Sequence, residues 1–432
     1  MATPVNQKRL GIHYAWWIMI GCCFLQAGAL GAVLNSSGVF FPAIVADLGF
    51  TQGGISSYLT FYSWATCVGM LLVARFFPRV DTRILMSGCT ILIVLALGLM
   101  SVYTELWQWY LSGVVFGLAG SFIFVVPAPV LIGNWFAKKT GFATGFAMAF
   151  SGIGAAVFSP LFTAFIEAFG WRSTYVVVAV IVAVLVLPWT VFVFRFKPED
   201  LGMQPYGHEE AQGDTPRQTI STAGATLKKA LPTLSFVALL VFAGLTAFYS
   251  GYNNQLPTFA ISRGFDPLFG ATLISAAMLG NIASKLIMGV IIELLGVLRT
   301  TVLTLVLIAL AMLMFVFLRA EWALYCAAFF YGSQNALVSV STPLIIKDIF
   351  GNKNYTEIYA FVRLGTGIIG GIGISVVAIA FDVFGSYDPA FYGGVALSAA
   401  AILCVTLAYA GKKKVVWEEE GIPKNSSKPV PH

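Results

Sequence analysis

Two basic residues in this sequence lie inside long apolar stretches, where a charged group needs a partner. They are Lys285 and Arg363, and no Asp or Glu lies deep in any such stretch. An ionisable side chain at the centre of a membrane costs at least about 2.5 kcal/mol. A bound anion is therefore the partner that we expect for the two cations. The alternative is that both side chains extend to the nearest water and only stabilise helix ends.

Neutral polar residues also occur inside the apolar stretches, and each of them needs a hydrogen-bond partner there. The partner is either a neighbouring helix or a bound solute, and the sequence does not choose between the two. Tyr359 lies one helical turn before Arg363 on the same helix face, where it could orient the guanidinium. The other candidates for lining a binding site are Asn35, Tyr62, Tyr249, Tyr252, Asn253, Gln334 and Asn335.

Other kinds of chemistry find no support in the pattern of residues. The six cysteines all fall in apolar stretches without metal-ligand spacing, and the three histidines lie near the ends of the chain or in a central polar segment. The sequence offers no nucleophile–base pair, metal cluster or phosphate-binding loop. It therefore predicts neither an enzyme nor a metal or cofactor site.

The composition predicts the helices that must position these residues. Hydrophobic residues make up 58% of the 432 residues and charged residues only 10%, against about a quarter charged in soluble domains. A helix that crosses the hydrocarbon needs about 20 apolar residues. The chain is thus predicted to be an all-α membrane protein with twelve transmembrane helices, at 14–41, 54–75, 84–103, 107–132, 141–167, 173–195, 233–260, 268–293, 300–318, 322–346, 357–381 and 389–411.

The distribution of positive charge predicts the orientation of the chain. With twelve spans both termini lie on one side, which holds 20 basic residues, whereas the other side holds only Arg172, Arg263 and Arg319. Because basic residues concentrate in cytoplasmic loops, we expect both termini in the cytoplasm. This topology accounts for the net charge of +6, so no nucleic-acid partner is inferred. The first apolar run is too long for a signal peptide, and we expect it to be retained as the first helix.

The chain divides into two similar halves around a polar segment. Residues 1–195 and 232–411 each hold six predicted spans, 196–231 is a linker and 412–432 is a tail. A nearly constant offset of 214–215 positions relates several pairs in separate loops: Pro42–Pro257, Gly49–Gly264, Pro129–Pro343, Phe136–Phe350 and Gly170–Gly385. Such an offset is typical of parallel repeats related by an axis along the membrane normal. It predicts two pseudo-symmetric six-helix bundles that rock around a central cavity.

A loop motif resembles that of a known transporter family. The stretch Gly289-x-x-x-Glu293-x-x-Gly296-x-x-Arg299 resembles the short cytoplasmic loop of the major facilitator superfamily. The matching stretch of the first half has Phe77 and Pro78 near the place of the family's acid and keeps only basic residues. This departure argues against a charge gate in the first half. The superfamily's arrangement implies that helices 1, 4, 7 and 10 line the cavity.

Three further segments resemble one branch of that superfamily. They are residues 134–145 (NWFAKKTGFATG), 170–175 (GWRSTY) and 197–207 (KPEDLGMQPYG), and they are similar to bacterial monocarboxylate transporters and oxalate–formate antiporters. The resemblance covers about residues 14–411. It implies a monomeric carrier in the bacterial cytoplasmic (inner) membrane. Because the matched segments lie in loops, they are specific for the branch and not for a substrate.

The resemblance also implies roles for the two cations. In this branch a basic residue of helix 8, four residues before a glycine, binds the substrate carboxylate, and Lys285 precedes Gly289 by four although arginine is usual. Oxalate antiporters use a second cation in helix 11, which Arg363 approximates. In proton-coupled carriers of animals the position of Asn281 is often Asp. Asparagine cannot titrate, so anion exchange, or a proton carried elsewhere, is left open.

The expected function is secondary active transport of small mono- or dicarboxylates by alternating access. Protons or a counter-anion would be the coupling partner, and the bilayer would surround the helices. The alternative is a carrier or exporter of bulkier, less polar solutes such as drugs or aromatic acids, which would need a large apolar cavity. A membrane sensor would need an output module, and the predicted linker and tail are too short and polar to form one.

Overall fold

The computed structural model describes residues 13–77, 79–208, 224–415 and 417. Over these residues nine helical segments are long and apolar enough to span a membrane, and one of them, Thr140–Val193, holds two crossings. Gln52–Phe76 and the interrupted run 321–350 complete a path consistent with twelve spans. In chain order α1 to α12 are Tyr14–Leu48, Gln52–Phe76, Thr82–Met100, Leu106–Trp135, 140–169, 171–193, 234–262, Pro267–Leu295, Val297–Phe317, 321–350, Tyr355–Phe384 and Asp388–Ala410.

The long helical run from residue 140 to 193 reverses direction at a single glycine. Gly170 has φ 78° and ψ 160°, outside the helical region. Both legs of the run lie beside α1, because a Cβ at Gly31 would be 3.0 Å from the Ala155 amide nitrogen and one at Gly28 would be 3.1 Å from Leu185 Cβ. The positive φ favours glycine at this turn, and α5 and α6 are therefore antiparallel neighbours.

The predicted repeat is confirmed by a helix contact that occurs once in each half. Gly117 of α4 lies so close to α2 that a Cβ would be 2.5 Å from the Tyr62 carbonyl oxygen. Gly332 of α10 has the same close approach to the Ala277 carbonyl oxygen of α8. Glycine permits such close approach of two backbones in membrane bundles. The halves α1–α6 and α7–α12 are thus pseudo-symmetric bundles, called here the N-bundle and the C-bundle.

The helices α4 and α10 are interrupted at equivalent places near the centre of the molecule. A π-helical stretch, Ser121–Val125, precedes Pro127 in α4, and Leu337–Ser341 precedes Pro343 in α10. Proline removes a backbone donor and clashes with the preceding turn, and π-helical turns accommodate the mismatch. These helices therefore have irregular backbone midway along their length.

The two ends of the molecule differ in what covers them. We call the end where α1 begins and α12 ends the termini side, and the opposite end the far side. The first part of the linker hydrogen-bonds to the end of α4, where Tyr206 N donates to Trp135 O at 2.8 Å. The last part bonds to the equivalent end of α10, where Ala225 N donates to Phe350 O at 2.8 Å. The linker is thus anchored to both bundles on the termini side.

The close contact between α8 and α10 gives a first prediction. A Cβ at Gly280 would overlap the Phe329 carbonyl oxygen, whereas one at Gly289 of the same helix meets nothing within 4 Å. Forced separation of packed elements costs about 1–3 kcal/mol. We expect Gly280→Ala to lower the melting temperature in detergent by several degrees, and Gly289→Ala to leave it unchanged or raise it. Equal melting temperatures for the two variants would contradict this packing.

Candidate functional site

The N-bundle and the C-bundle meet closely on the far side. Ser37 Oγ donates to Asn254 Oδ1 at 3.3 Å, and Gln255 Nε2 donates to Ser56 Oγ at 2.9 Å. The backbones of α1 and α7 are also in contact, because a Cβ added to Gly38 would overlap the Asn254 carbonyl oxygen. The far side is therefore closed in this conformation.

A row of hydroxyl groups extends this contact along α2 and α11 toward the centre. Thr60 Oγ1 donates to Gly371 O at 2.6 Å and Ser63 Oγ donates to Gly367 O at 2.7 Å. Cys67 follows one turn later, with its Sγ 4.0 Å from Leu364 O. Among hydrogen bonds that join the described helices of the two bundles, none lies nearer the termini side. Hydrogen bonding between the described helices of the two bundles is thus confined to the far side and the centre.

A central cavity of about 180 Å³ lies between the bundles on the inner side of this contact. Eight of its thirteen lining residues carry an amide or hydroxyl group, and α1, α2, α7, α8, α10 and α11 all contribute. Its lining residues are Leu30, Leu34, Asn35, Leu59, Tyr62, Ser63, Ser250, Asn253, Asn254, Met278, Gln334, Asn335 and Ile374. No carboxylate is among these described residues, so the polar groups that they supply are neutral hydrogen-bond donors and acceptors.

A second cavity of about 210 Å³ adjoins the first and brings in a charge. The two share Tyr62, Ser63, Ser250, Gln334 and Asn335, so they form one continuous space. The second is completed by Thr66, Cys67, Met70, Ala247, Val338, Arg363, Thr366, Gly367 and Gly370. We call the first space the amide cavity and the second the arginine cavity.

Arg363 has no counter-ion within the described residues. Its guanidinium makes no hydrogen bond or ion pair there, although the residue lines the arginine cavity. The four ion pairs found in the described chain are Arg83–Asp81, Arg172–Asp47, Arg263–Asp388 and Lys412–Asp348. All four lie at helix ends or in loops. The charge of Arg363 is therefore available to a bound anion.

Lys285 likewise has no ion pair among the described residues, but it lines neither cavity. It is half-buried on α8, seven residues after Met278 of the amide cavity. Seven residues are two helical turns, so the two side chains share a face about 10 Å apart. Ile282 lies between them and packs against α5, because a Cβ added to Gly152 would be 3.3 Å from the Ile282 side chain. Lys285 thus lies on the face of α8 that is turned to the N-bundle, on the termini side of the amide cavity.

The structure separates the other candidates into two groups. Asn35, Tyr62 and Asn335 line the cavities, as do Asn253 and Gln334. Tyr252 is away from them, and its hydroxyl donates to Ala390 O at 2.7 Å. Asn281 is buried without lining either cavity, and Tyr359 stacks on Tyr355 with 5.8 Å between ring centroids. Tyr252, Asn281 and Tyr359 are therefore placed where they stabilise helix packing.

The expected cavity helices need one correction. Helices α1, α7 and α10 supply lining residues as predicted, but within the described residues α4 supplies none and α2 and α11 do. The reason is that Phe124 of α4 is fully buried behind Tyr62, with 6.2 Å between ring centroids. Sequence reasoning also missed Ser63, Ser250 and Asn254, because small polar residues at helix contacts carry no signal that separates lining from packing.

The loop motif between α8 and α9 is a turn without an ion pair. Gly296 has φ 81° and ends α8, and neither Glu293 nor Arg299 makes an ion pair within the described residues. The first-half loop, in contrast, has an acid that the sequence comparison passed over. Asp81 caps α3 and pairs with Arg83 at 2.9 Å, and this hydrogen bond lowers the pKa of the Asp81 carboxyl. The charged contact in that loop is local to α3.

Solved structures with this fold are transporters. A nucleoside transporter, NupG, has a TM-score of 0.70 at 13% identity, over 93% of this chain and 100% of its own. A bacterial homologue of the human lysosomal transporter Spinster, in an inward-facing and unoccupied conformation, has a TM-score of 0.63 at 14% identity, over 93% and 96% of the two chains. At these identities the similarity shows the fold alone. No curated protein sequence matches the chain.

The sequence profile of the Major Facilitator Superfamily matches residues 16–343 and 264–431, which together span nearly the whole chain. The two six-helix bundles and the polar space between them agree with that match. The chain therefore belongs to the major facilitator superfamily, and it is a multi-pass membrane transporter and not an enzyme.

Proposed function

We propose that this transporter is a secondary active carrier of small organic anions, with mono- and dicarboxylates as the substrate class. The observation that carries the proposal is Arg363, a cation that lines the arginine cavity and has no counter-ion among the described residues. A cation within a membrane-spanning helix is costly without a partner. A carboxylate in the cavity would supply that partner and could accept two parallel hydrogen bonds from the guanidinium.

Lys285 supports the same proposal from the termini side. It lies on the face of α8 turned to the N-bundle, on the termini side of the amide cavity. A second positive charge there would attract an anion toward the cavity, since fields along a low-dielectric cleft concentrate counter-ions. We propose Arg363 as the residue that holds the anion and Lys285 as the residue on its path, with Asn35, Tyr62 and Asn335 contacting the rest of the solute.

The charge and the free amides of the cavities favour anions over bulkier, less polar solutes. Pockets for drug-sized ligands are mostly apolar, with few polar groups. Arg363 and the amides of Gln334 and Asn335 line the continuous space that the two cavities form. A drug or an aromatic hydrocarbon in this space would leave these groups without partners.

We further propose that both termini lie in the cytoplasm of a bacterium, with transport by alternating access. The excess of basic residues on the termini side supports this orientation. With the far side closed by hydrogen bonds between the bundles, access to the cavity would then be from the cytoplasm, in an inward-open conformation. Exchange and symport are both compatible with the site, and Asn281 offers no titratable group for a proton.

Counterflow in proteoliposomes tests the proposal. Vesicles that hold the purified protein are loaded with unlabelled carboxylates, and uptake of the same labelled carboxylate is followed with and without a pH gradient. We expect at least one mono- or dicarboxylate to give counterflow at ten times the rate of protein-free vesicles. An uptake rate that does not depend on the pH gradient would indicate antiport. A rate that rises with an inward proton gradient would indicate symport. If no carboxylate of the panel gives counterflow, the proposal is contradicted.

A further inference from the structure

The amide cavity contains more hydrogen-bonding capacity than a carboxylate can use. Five amide side chains line it, and each has both an N–H donor pair and a carbonyl acceptor. They are Asn35, Asn253, Asn254, Gln334 and Asn335. A carboxylate has only acceptor oxygens at neutral pH, so it can satisfy the N–H groups and none of the carbonyl oxygens.

One of these amides is already held by the protein. Asn253 Nδ2 donates to the Asn35 carbonyl oxygen at 3.4 Å, and Asn253 Oδ1, although it accepts no hydrogen bond, is enclosed by protein atoms and is not open to the cavity. Asn253 therefore offers no free group to a solute.

Two other amides are free to bind a solute. The side chains of Gln334 and Asn335 make no hydrogen bond to any described residue, and both line the amide cavity and the arginine cavity. Asn254 differs from them, since its Oδ1 already accepts from Ser37. The unsatisfied groups thus face the space that is shared with Arg363.

A buried acceptor without a donor costs about 1–3 kcal/mol. Water can donate to these oxygens while the cavity is empty, but a solute that displaces the water must replace its hydrogen bonds or lose affinity. An alkyl chain cannot do this. Hydroxyl or N–H groups on the solute can, provided that they lie along the part of the molecule that is distant from its carboxylate.

We infer that the solute is a carboxylate with several hydroxyl groups along its chain, of the sugar-acid class. This inference rests on the proposed carriage of organic anions and narrows it. The carboxylate occupies the arginine cavity beside Arg363, and the hydroxyl groups exchange hydrogen bonds with the amides of Gln334 and Asn335, which line both cavities. A site that hydrogen-bonds a hydroxyl rejects an analogue without it strongly, so simple fatty acids of the same length are excluded.

The test compares three six-carbon probes that differ in one property at a time. Gluconate has a carboxylate and hydroxyls, hexanoate has only the carboxylate, and glucitol has only hydroxyls. Dissociation constants are measured by titration calorimetry on the purified full-length protein in detergent. We expect gluconate to bind at least tenfold more tightly than hexanoate and than glucitol.

Two variants identify the amides responsible. Gln334→Leu and Asn335→Leu each remove an amide that makes no hydrogen bond to any described residue. Each is expected to reduce the preference for gluconate over hexanoate to less than threefold. The control is Gln26→Leu, because Gln26 is also a buried glutamine but lies outside both cavities. It should keep the wild-type preference.

The outcomes separate this inference from the proposed function. If hexanoate binds as tightly as gluconate, the hydroxyl requirement is wrong and carriage of carboxylates still stands. If glucitol binds as tightly as gluconate, the carboxylate is not recognised and both proposals fail. Binding of none of the three probes would also contradict the sugar-acid class, and the carboxylate panel in proteoliposomes then decides whether the broader proposal survives.

Discussion

Replacing Arg363 with glutamine is expected to lower carboxylate counterflow at least 100-fold. Glutamine has similar length and keeps a hydrogen-bond donor, but it removes the one charge in the described lining of the two cavities. Breaking a buried ion pair by deleting one partner costs about 3–5 kcal/mol, which corresponds to more than a 100-fold loss of affinity. Counterflow rates and calorimetric dissociation constants measure the effect on the same preparation.

Two companion variants show what the guanidinium contributes. Arg363→Lys keeps the charge but replaces a planar fork with a point charge, and we expect about tenfold weaker binding. Arg319→Gln removes an exposed arginine far from the cavities and should change nothing. Wild-type counterflow by an inserted and folded Arg363→Gln protein would contradict a role for Arg363 in holding the anion.

Lys285→Gln distinguishes the two cations. If Lys285 lies on the path of the anion, its loss should raise the concentration for half-maximal counterflow about tenfold, with a smaller effect on the maximal rate. Abolished transport in Lys285→Gln together with normal transport in Arg363→Gln would move the anion site from α11 to α8. That result would favour the role that the family resemblance implied for Lys285.

The sequence was sufficient for the parts of the fold that depend on local pattern. Apolar windows of membrane length depend on composition alone, and the offset between Gly49–Gly264 and Gly170–Gly385 reports turns with positive φ in both halves. The irregular backbone beside Pro127 in α4 and Pro343 in α10 is also a local effect, because the chemistry of proline is independent of tertiary context.

The lining of the cavity was predictable only in part, because it depends on how helices are rotated about their axes. Tyr62 and Tyr252 are both tyrosines inside apolar windows, yet Tyr62 lines both cavities and Tyr252 hydrogen-bonds to α12. Hydropathy cannot distinguish them, since lipid and helix neighbours are equally apolar. The same holds for the two cations, since Arg363 lines a cavity and Lys285 lines neither. A charge in an apolar stretch is costly, but the sequence does not show which way it faces.

Contacts between the bundles could not be predicted from the sequence at all. Asp382 near the end of α11 accepts hydrogen bonds from Gln52 N at 2.9 Å and Gly53 N at 2.6 Å, at the first turn of α2. More than 300 residues separate the partners. In the sequence Asp382 is only an acid near a helix end. Its role follows from the register between two helices of different bundles.

This carboxylate contact is one of those that must break when the far side opens, and it is a charged one. The first N–H groups of a helix have no partner within the helix, and a carboxylate there also interacts favourably with the helix dipole. Hydrogen bonds to charged groups contribute about 1.5–3 kcal/mol. Asp382 therefore stabilises the far-side-closed conformation by joining α11 of the C-bundle to α2 of the N-bundle.

Asp382→Asn is accordingly expected to shift the conformational equilibrium toward opening of the far side by about 10- to 100-fold, since 1.4 kcal/mol corresponds to a factor of ten. Spin labels at Val102 and Phe317, which are 66% exposed and lie at far-side helix ends of different bundles, report the change as a longer distance. The measurement is pulsed electron paramagnetic resonance on a variant without native cysteines. A longer-distance population that is minor with Asp382 should become a major one with asparagine.

Asp388→Asn is the matched control for this shift. Asp388 is also a far-side carboxylate, but its ion pair with Arg263 lies within the C-bundle and joins α12 to the end of α7. Its loss should destabilise that bundle without favouring either conformation. If the distance distribution of Asp382→Asn equals that of the parent protein, the hydroxyl contacts of Thr60 and Ser63 with α11 are sufficient to keep the far side closed, and the carboxylate has no part in alternating access.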